Sequence, residues 1–125
     1  MMDGCIFCNG IDKDKVLLES DKWLVIYDGY AVSKGHVLLI PKGHYETYFD
    51  LPKEYVLELH GIILKVKKKL DEKFNPSGYN IGANCGKSGG QTIMHCHIHI
   101  IPRYDGDMED PRGGVRGVIP SKQKY

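Results

Sequence analysis

One stretch constrains the architecture more than any other. In "DLPKEYVLELHGIILKVKKKLDEKFNP", Asp50 to Pro76, the residues Tyr55, Leu59, Ile62, Val66 and Leu70 recur at three- and four-residue spacing. That spacing lays them along one stripe of a long helix. Asp50 reads as its N-cap with Pro52 in the first turn, and Asn75-Pro76 as its stop. Every other apolar segment is short and reads as strand. "DKVLLESDKWLVIYDG" predicts two strands split by a polar turn at Glu19 to Lys22, with Trp23, Val25 and Tyr27 alternating against Leu24 and Ile26. "GHVLLIPKGH" predicts a third, ended by Pro41, and "GYNIGANCG" a fourth that runs into a glycine-rich loop. "MHCHIHIIP" predicts the fifth. One helix among five strands predicts an α+β fold: a five-stranded, mainly antiparallel sheet with the long helix packed on it and room for a short second helix. The 125 residues suit a single domain with one ordinary core, residues 103–125 forming an irregular, Gly- and Pro-rich tail.

Composition narrows the function classes. The chain is 42% hydrophobic and 26% charged with a formal net charge of +1. Such a balance gives no global pull toward nucleic acid or an anionic membrane surface, so neither is expected as a partner. No apolar run approaches the ~20 residues that span a bilayer. The start, "MMDGCIFC", meets an acidic residue at once and has no long apolar stretch, so a cytoplasmic location with reduced thiols is expected.

The chemistry concentrates in "IMHCHIHIIPR", residues 93–103, where His95, His97 and His99 occupy alternate positions. On a strand such positions share one face, spaced ~7 Å apart, with Cys96, Ile98 and Ile100 turned into the core. Three imidazoles crowded together penalise one another's protonation, so a purely structural use is wasteful. Two readings compete: a histidine-bound catalytic metal, or covalent chemistry in which a neutral imidazole nitrogen attacks phosphorus while a neighbouring ring binds phosphoryl oxygens. The loop just upstream, "NCGKSGGQT" from Asn84 to Thr92, favours phosphate chemistry. Its glycines let backbone amides approach phosphate oxygens, and Gln91 and Thr92 add side-chain donors.

With both flanking blocks, the pattern resembles the histidine triad (HIT) family. "GGQTIMHCHIHIIPR" resembles its signature of alternating histidines, and "GYAVSKGHVLLIPKGH" its Gly-His-apolar strand followed by Pro-Lys. The resemblance runs from Cys5 to about Arg103. It implies a HIT-like fold and a hydrolase that cleaves the α-phosphate bond of nucleoside 5′-phosphoramidates or dinucleoside polyphosphates through a nucleotidyl-histidine intermediate. A nucleotidyltransferase or phosphorylase with the same intermediate is the alternative, as is a nucleotide-binding adaptor with little turnover. By the same resemblance His97 is the nucleophile, His99 contacts phosphate, and His36 lies beside the triad. Gln91 and Thr92 lie near the bridging and leaving oxygens, with Gly90 in the same loop. Asn84 contacts ribose or phosphate, and Asp28 accepts from the ribose hydroxyls. A purine nucleotide substrate and a homodimer are the partners it implies. "IPR" after the triad departs from the Gly-Gly-Arg of the Hint-like subgroup, which leaves the leaving group open.

Cys5 and Cys8 stand at C-x-x-C spacing in "CIFC". Spacing alone allows a structural zinc, a redox pair or two incidental buried thiols. The family resemblance adds a fixed ligand set: a structural zinc on Cys5, Cys8, His44 and His95, with residues 1–10 as its zinc-binding segment and no cofactor required for catalysis. The remaining features read plainly. Lys65, Lys67, Lys68 and Lys69 form a solvated helix face, His60 is ordinary, Cys85 and Cys96 are structural, and Arg112 and Arg116 reach either a partner subunit or a substrate phosphate.

Overall fold

A computed structural model of the chain describes residues 4–125; residues 1–3 of the N-terminal segment lie outside the described residues. Five strands form one sheet: β1 (Val16–Glu19), β2 (Trp23–Tyr27), β3 (Val37–Pro41), β4 (Gly78–Gly82) and β5 (Ile98–Arg103). Their order is β1-β2-β3-β5-β4, and each neighbouring pair is antiparallel. The short helix α1 (Ile6–Asn9) precedes the sheet, and the long helix α2 (Lys53–Phe74) lies between β3 and β4 in the chain. The α+β reading is thus the observed one.

The two faces of the sheet carry different cores because side chains alternate along a strand. Trp23 and Val25 of β2, Val37 and Leu39 of β3, and Ile98 and Ile100 of β5 pack with Leu59, Ile62, Val66 and Leu70 of α2. That is the expected helical stripe, and each fully buried aliphatic side chain contributes roughly 1.5–3 kcal/mol. The opposite face holds a smaller cluster in which Ile26, Leu38 and Ile40 pack with Phe7 of α1, flanked by Cys5, Ile11 and Ile93. Buried on both faces, β3 reads as the continuous apolar run "VLLI". Leu38 pairs with His99 across β3 and β5. Cross-strand partners share a face, so His99 projects on the side away from α2.

Two polar braces tie α2 to the sheet. Glu58 accepts from the Ser20 hydroxyl (2.6 Å) and the Lys22 amide (3.0 Å), fixing the β1–β2 turn. The buried Trp23 donates its indole N–H to the Tyr55 carbonyl at 2.9 Å. The helix start differs from expectation. Pro52 is the N-cap, and Asp50 instead closes a capping box with Thr47 on the preceding turn, Tyr48–Asp50. Proline serves there because its fixed φ suits the entry to a helix and the N-cap amide needs no partner within it. At the other end Asn75 adopts φ 51°, a left-handed cap, directly before Pro76.

The fifth strand also begins later than the alternation suggested, at Ile98 rather than Met94. Residues 93–95 form a bend, followed by the Cys96 amide donating to the Tyr45 carbonyl at 2.6 Å. Of the three histidines only His99 lies within β5; His95 and His97 precede it.

Truncating the stripe tests this packing. Leu70→Ala, at a fully buried site, is expected to lose about 2–5 kcal/mol of unfolding free energy. Leu64→Ala, at a site 53% exposed on the same helix, is expected to change it by no more than about 0.5 kcal/mol. Urea unfolding with unchanged m-values checks both.

Candidate functional site

The bend gives each histidine a separate environment, and backbone groups fix which nitrogen carries each proton. His97 Nδ1 lies 2.8 Å from the carbonyl oxygen of His95. A carbonyl only accepts, so Nδ1 holds the hydrogen and the Nε2 lone pair is left open. That lone pair belongs to a half-buried ring lining a cavity of about 380 Å³.

A second chain of contacts involves Asp28, His36 and His99. The Val32 amide donates to His36 Nδ1 at 3.1 Å, which puts the His36 hydrogen on Nε2. His36 Nε2 then faces His99 Nδ1 at 2.9 Å and the Asp28 carboxylate at 3.4 Å. His99 accepts on Nδ1 and carries its own hydrogen on Nε2. Burial holds both rings below the ordinary histidine pKa of 6.5, opposed by the Asp28 carboxylate. His97 and His36 lower His99 further. The ligating atoms of these three residues lie within 4.8 Å of one another, as in a carboxylate–histidine metal site. The Val32 amide argues against that use, because it occupies the only arrangement that would free a lone pair at His36 Nε2. The trio is a hydrogen-bond chain ending in an N–H donor.

His95 turns away from both. Fully buried, it directs Nε2 at the Pro41 carbonyl, 2.9 Å away, which leaves Nδ1 as a lone pair. Burial lowers its pKa, offset by the Pro41 bond and reinforced by His44 and His97. Around Nδ1 sit Cys5 Sγ at 3.4 Å, Cys8 Sγ at 3.5 Å and His44 Nδ1 at 3.1 Å, with Cys8 Sγ 3.3 Å from His44 Nδ1. A tetrahedral zinc with S and N ligands needs donors about 3.3–3.8 Å apart. Two thiols and two imidazoles at these separations fit that ion in number, type and spacing. The sequence-derived metal residues are thus brought together, and His95 is separated in task from the other two triad positions.

The cavity is lined by polar residues, among them Asp12, Lys15, Asp28, Asn84, Thr92, His97 and His99, by Gly90, and by the apolar Ile6, Phe7, Ile11, Ile26, Leu38 and Ile93. His36 lies just behind it. A second cavity of about 450 Å³ adjoins on the far side of Asn84 and His99, walled by Val32, Ile81, Ile101, Val115 and Val118.

The glycine-rich loop departs from expectation. Four of its amides are engaged within the loop: Gly89 and Gln91 donate to the Gly86 carbonyl, Gly90 to that of Lys87, and Gly86 to the Gln91 side chain. Gln91 is buried and not turned toward the cavity. Its Oε1 accepts from the Gly86 amide at 2.8 Å, and Nε2 donates to the carbonyls of Glu46 at 2.6 Å and Ile93 at 2.9 Å. Gln91 braces the loop, while Thr92, Asn84 and His99 present side chains to the cavity. Gly86 and Gly90 take φ of 80° and 91°, which only glycine adopts without strain. Arg116 lines neither of these two cavities; it donates to the carbonyls of Lys122 and Gln123 and lies over the Tyr125 ring. The apolar lining from Ile6 and Phe7 was not anticipated from the sequence.

Comparison with known proteins agrees with this geometry. The family model described as "HIT domain" matches residues 9–106. An uncharacterized HIT-like protein of Methanocaldococcus jannaschii is 43% identical over 110 residues, covering 84% of this chain and 83% of that one. An adenosine 5′-monophosphoramidase of Candida albicans is 35% identical over 109 residues, covering 81% and 71%. The crystal structure of a zinc-bound histidine triad family protein from Mycobacterium smegmatis superposes with a TM-score of 0.76 at 32% identity, covering 86% of this chain and 80% of that chain.

Protein purified without chelator is expected to carry about one zinc per chain by elemental analysis, and the Cys5→Ser, Cys8→Ser double variant well below that. Acid is expected to weaken the fold. Below the ordinary value of 6.5 the unfolded chain protonates its histidines while His36 and His99 stay neutral when folded. Unfolding then takes up protons, so stability is full above that pH and falls as pH drops through it. Chemical unfolding of metal-free protein between pH 5 and 7.5 checks this, with a shallower decline expected for His99→Asn.

Proposed function

The chain belongs to the HIT family, and on that premise we propose that it is a nucleotide hydrolase whose nucleophile is His97 Nε2. The observation that carries the reading is the His97 ring itself. Its proton is held at Nδ1 by the His95 carbonyl, and its lone pair opens on a cavity beside an N–H donor of His99.

The substrate is a purine nucleoside 5′-phosphate derivative with a phosphoramidate or anhydride bond at the α-phosphorus. The base packs on the apolar lining, between Phe7, Ile11 and Ile26. Asp28 accepts from the ribose hydroxyls. Thr92, Asn84 and His99 Nε2 donate to the phosphoryl oxygens, where charge builds in the transition state. His97 Nε2 attacks phosphorus, the N–P bond forms, and the bond to the leaving group breaks with its electron pair. The leaving group departs on the side of His99 and Asn84, where the second cavity opens. The nucleotidylated imidazole becomes cationic, and its Nδ1–H bond to the His95 carbonyl strengthens accordingly. Water then attacks phosphorus and loses a proton, and the N–P bond breaks to restore the lone pair. Covalent catalysis here divides one hard displacement into two easier ones. His36 acts through His99, holding its ring and tautomer. Gln91 acts through the loop. Cys5, Cys8, His44 and His95 would hold a zinc ion that anchors α1 and takes no part in bond making.

Among relatives, the phosphoramidase name of the Candida protein supports this substrate class. His97→Ala is expected to lower turnover of adenosine phosphoramidate by roughly 10³-fold or more while AMP still binds. With the native protein, rapid quenching after mixing with adenosine phosphoramidate or diadenosine tetraphosphate should give an adenylylated peptide containing residue 97 by mass spectrometry. Near-normal turnover in the variant rules His97 out, and phosphate-dependent formation of ADP would mark a phosphorylase instead.

A further inference from the structure

The metal cluster and the nucleotide cavity share one short piece of chain. Helix α1 is four residues long, has no side-chain cap, and carries no acidic residue in its first turn. Such a helix is not stable by itself. What holds it is a pair of donors and a single aromatic plug. Cys5, the N-cap of the helix, and Cys8, within it, reach the His44–His95 pair. Between them Phe7 is buried against Ile26, Leu38 and Ile40 on the sheet. The same four-residue turn supplies Ile6 and Phe7 to the cavity wall, and Gly10 and Ile11 continue it.

Phe7 also touches both histidines directly. Its ring meets that of His95 edge-on at 5.9 Å and that of His97 at 5.0 Å. One side chain therefore contacts a donor of the metal cluster, the ring with the open lone pair, and the space where a nucleoside would lie. Without an ion, the contacts that hold α1 to the sheet include the Phe7 plug and the hydrogen bonds of Cys5 and Cys8 to His44 and His95. If α1 moves, the cavity loses part of its apolar wall.

We infer that zinc occupancy and nucleotide binding are thermodynamically coupled in this protein, with Phe7 as the positioning residue that transmits the coupling. The inference rests on the nucleotide reading above. Linkage is reciprocal: if zinc tightens nucleotide binding by some factor, nucleotide tightens zinc binding by the same factor. Zinc would supply only the anchoring of α1; the rest is done by Phe7, Ile6 and Ile11 as they close over the base. The coupling makes the metal a condition for affinity as well as for stability.

The test reads metal retention rather than activity. Zinc-loaded protein is mixed with excess chromophoric chelator, with and without saturating AMP, and zinc loss is followed by absorbance. AMP is expected to lower the extent of zinc loss at equilibrium by about fivefold or more. Calorimetry should show AMP binding weakened by the same factor in zinc-free protein. Phe7→Leu, which keeps an apolar plug, should retain most of the coupling. Phe7→Ala should retain zinc in the absence of AMP yet lose the protection that AMP gives. Should Phe7→Ala fail to fold, the native protein and Phe7→Leu still decide the matter. AMP that binds tightly without changing zinc retention overturns the coupling and leaves the nucleotide reading intact. Failure of AMP to bind zinc-loaded native protein overturns both. Protection that persists undiminished in folded Phe7→Ala overturns the role of Phe7.

Discussion

The hydrogen bond from His97 Nδ1–H to the carbonyl of His95 is the contact on which the proposed chemistry depends. An imidazole offers two nitrogens, and only the unprotonated one can act as a nucleophile or ligand. Here the choice is made by a main-chain oxygen two residues away, which neither titrates nor rotates. That oxygen belongs to His95, which is itself anchored by the Pro41 carbonyl and the cysteine pair.

The same device recurs at each ring. Val32 N–H sets His36, His36 sets His99, and the Pro41 carbonyl sets His95. Three crowded imidazoles would otherwise exchange protons and repel one another as cations. Burial lowers the pKa of His36, His95 and His99, and fixed backbone partners then assign tautomers to the neutral rings. The result is one open lone pair toward the cavity, another toward the thiols, and one N–H donor beside the first. Identical side chains acquire different tasks from their hydrogen-bond partners alone.

How much of this the sequence disclosed depended on what kind of signal carried it. Periodicity revealed the strands and the long helix, since burial of one stripe or one face leaves a mark at fixed spacing. Residue type and spacing, read with the family resemblance, picked out Cys5, Cys8, His44 and His95, which converge. The start of β5 was misjudged because "MHCHIH" alternates like a strand, and alternation cannot register that residues 93–95 bend before the strand begins at Ile98. Asp50 looked like a helix cap because its side chain suits one, yet Thr47 claims it three residues earlier. The backbone groups that fix His36 and His97, an amide donor and a carbonyl acceptor, could not be read at all, since every non-proline residue has the same amide and carbonyl. Gln91 was assigned to the substrate for its donors; those donors are consumed by Glu46 and Ile93. Phe7 escaped notice because a buried aromatic next to cysteines has an ordinary explanation.

The glycine-rich loop has one more implication. Because four of its amides and the Gln91 carboxamide are already engaged within the protein, much of its outline is set without a ligand. On the proposed reading a phosphate would meet a rim already at rest, with little of the interaction energy diverted into freezing the chain. Selectivity at that rim would then come from the reach of Thr92 and Asn84, two short side chains on a stiff support.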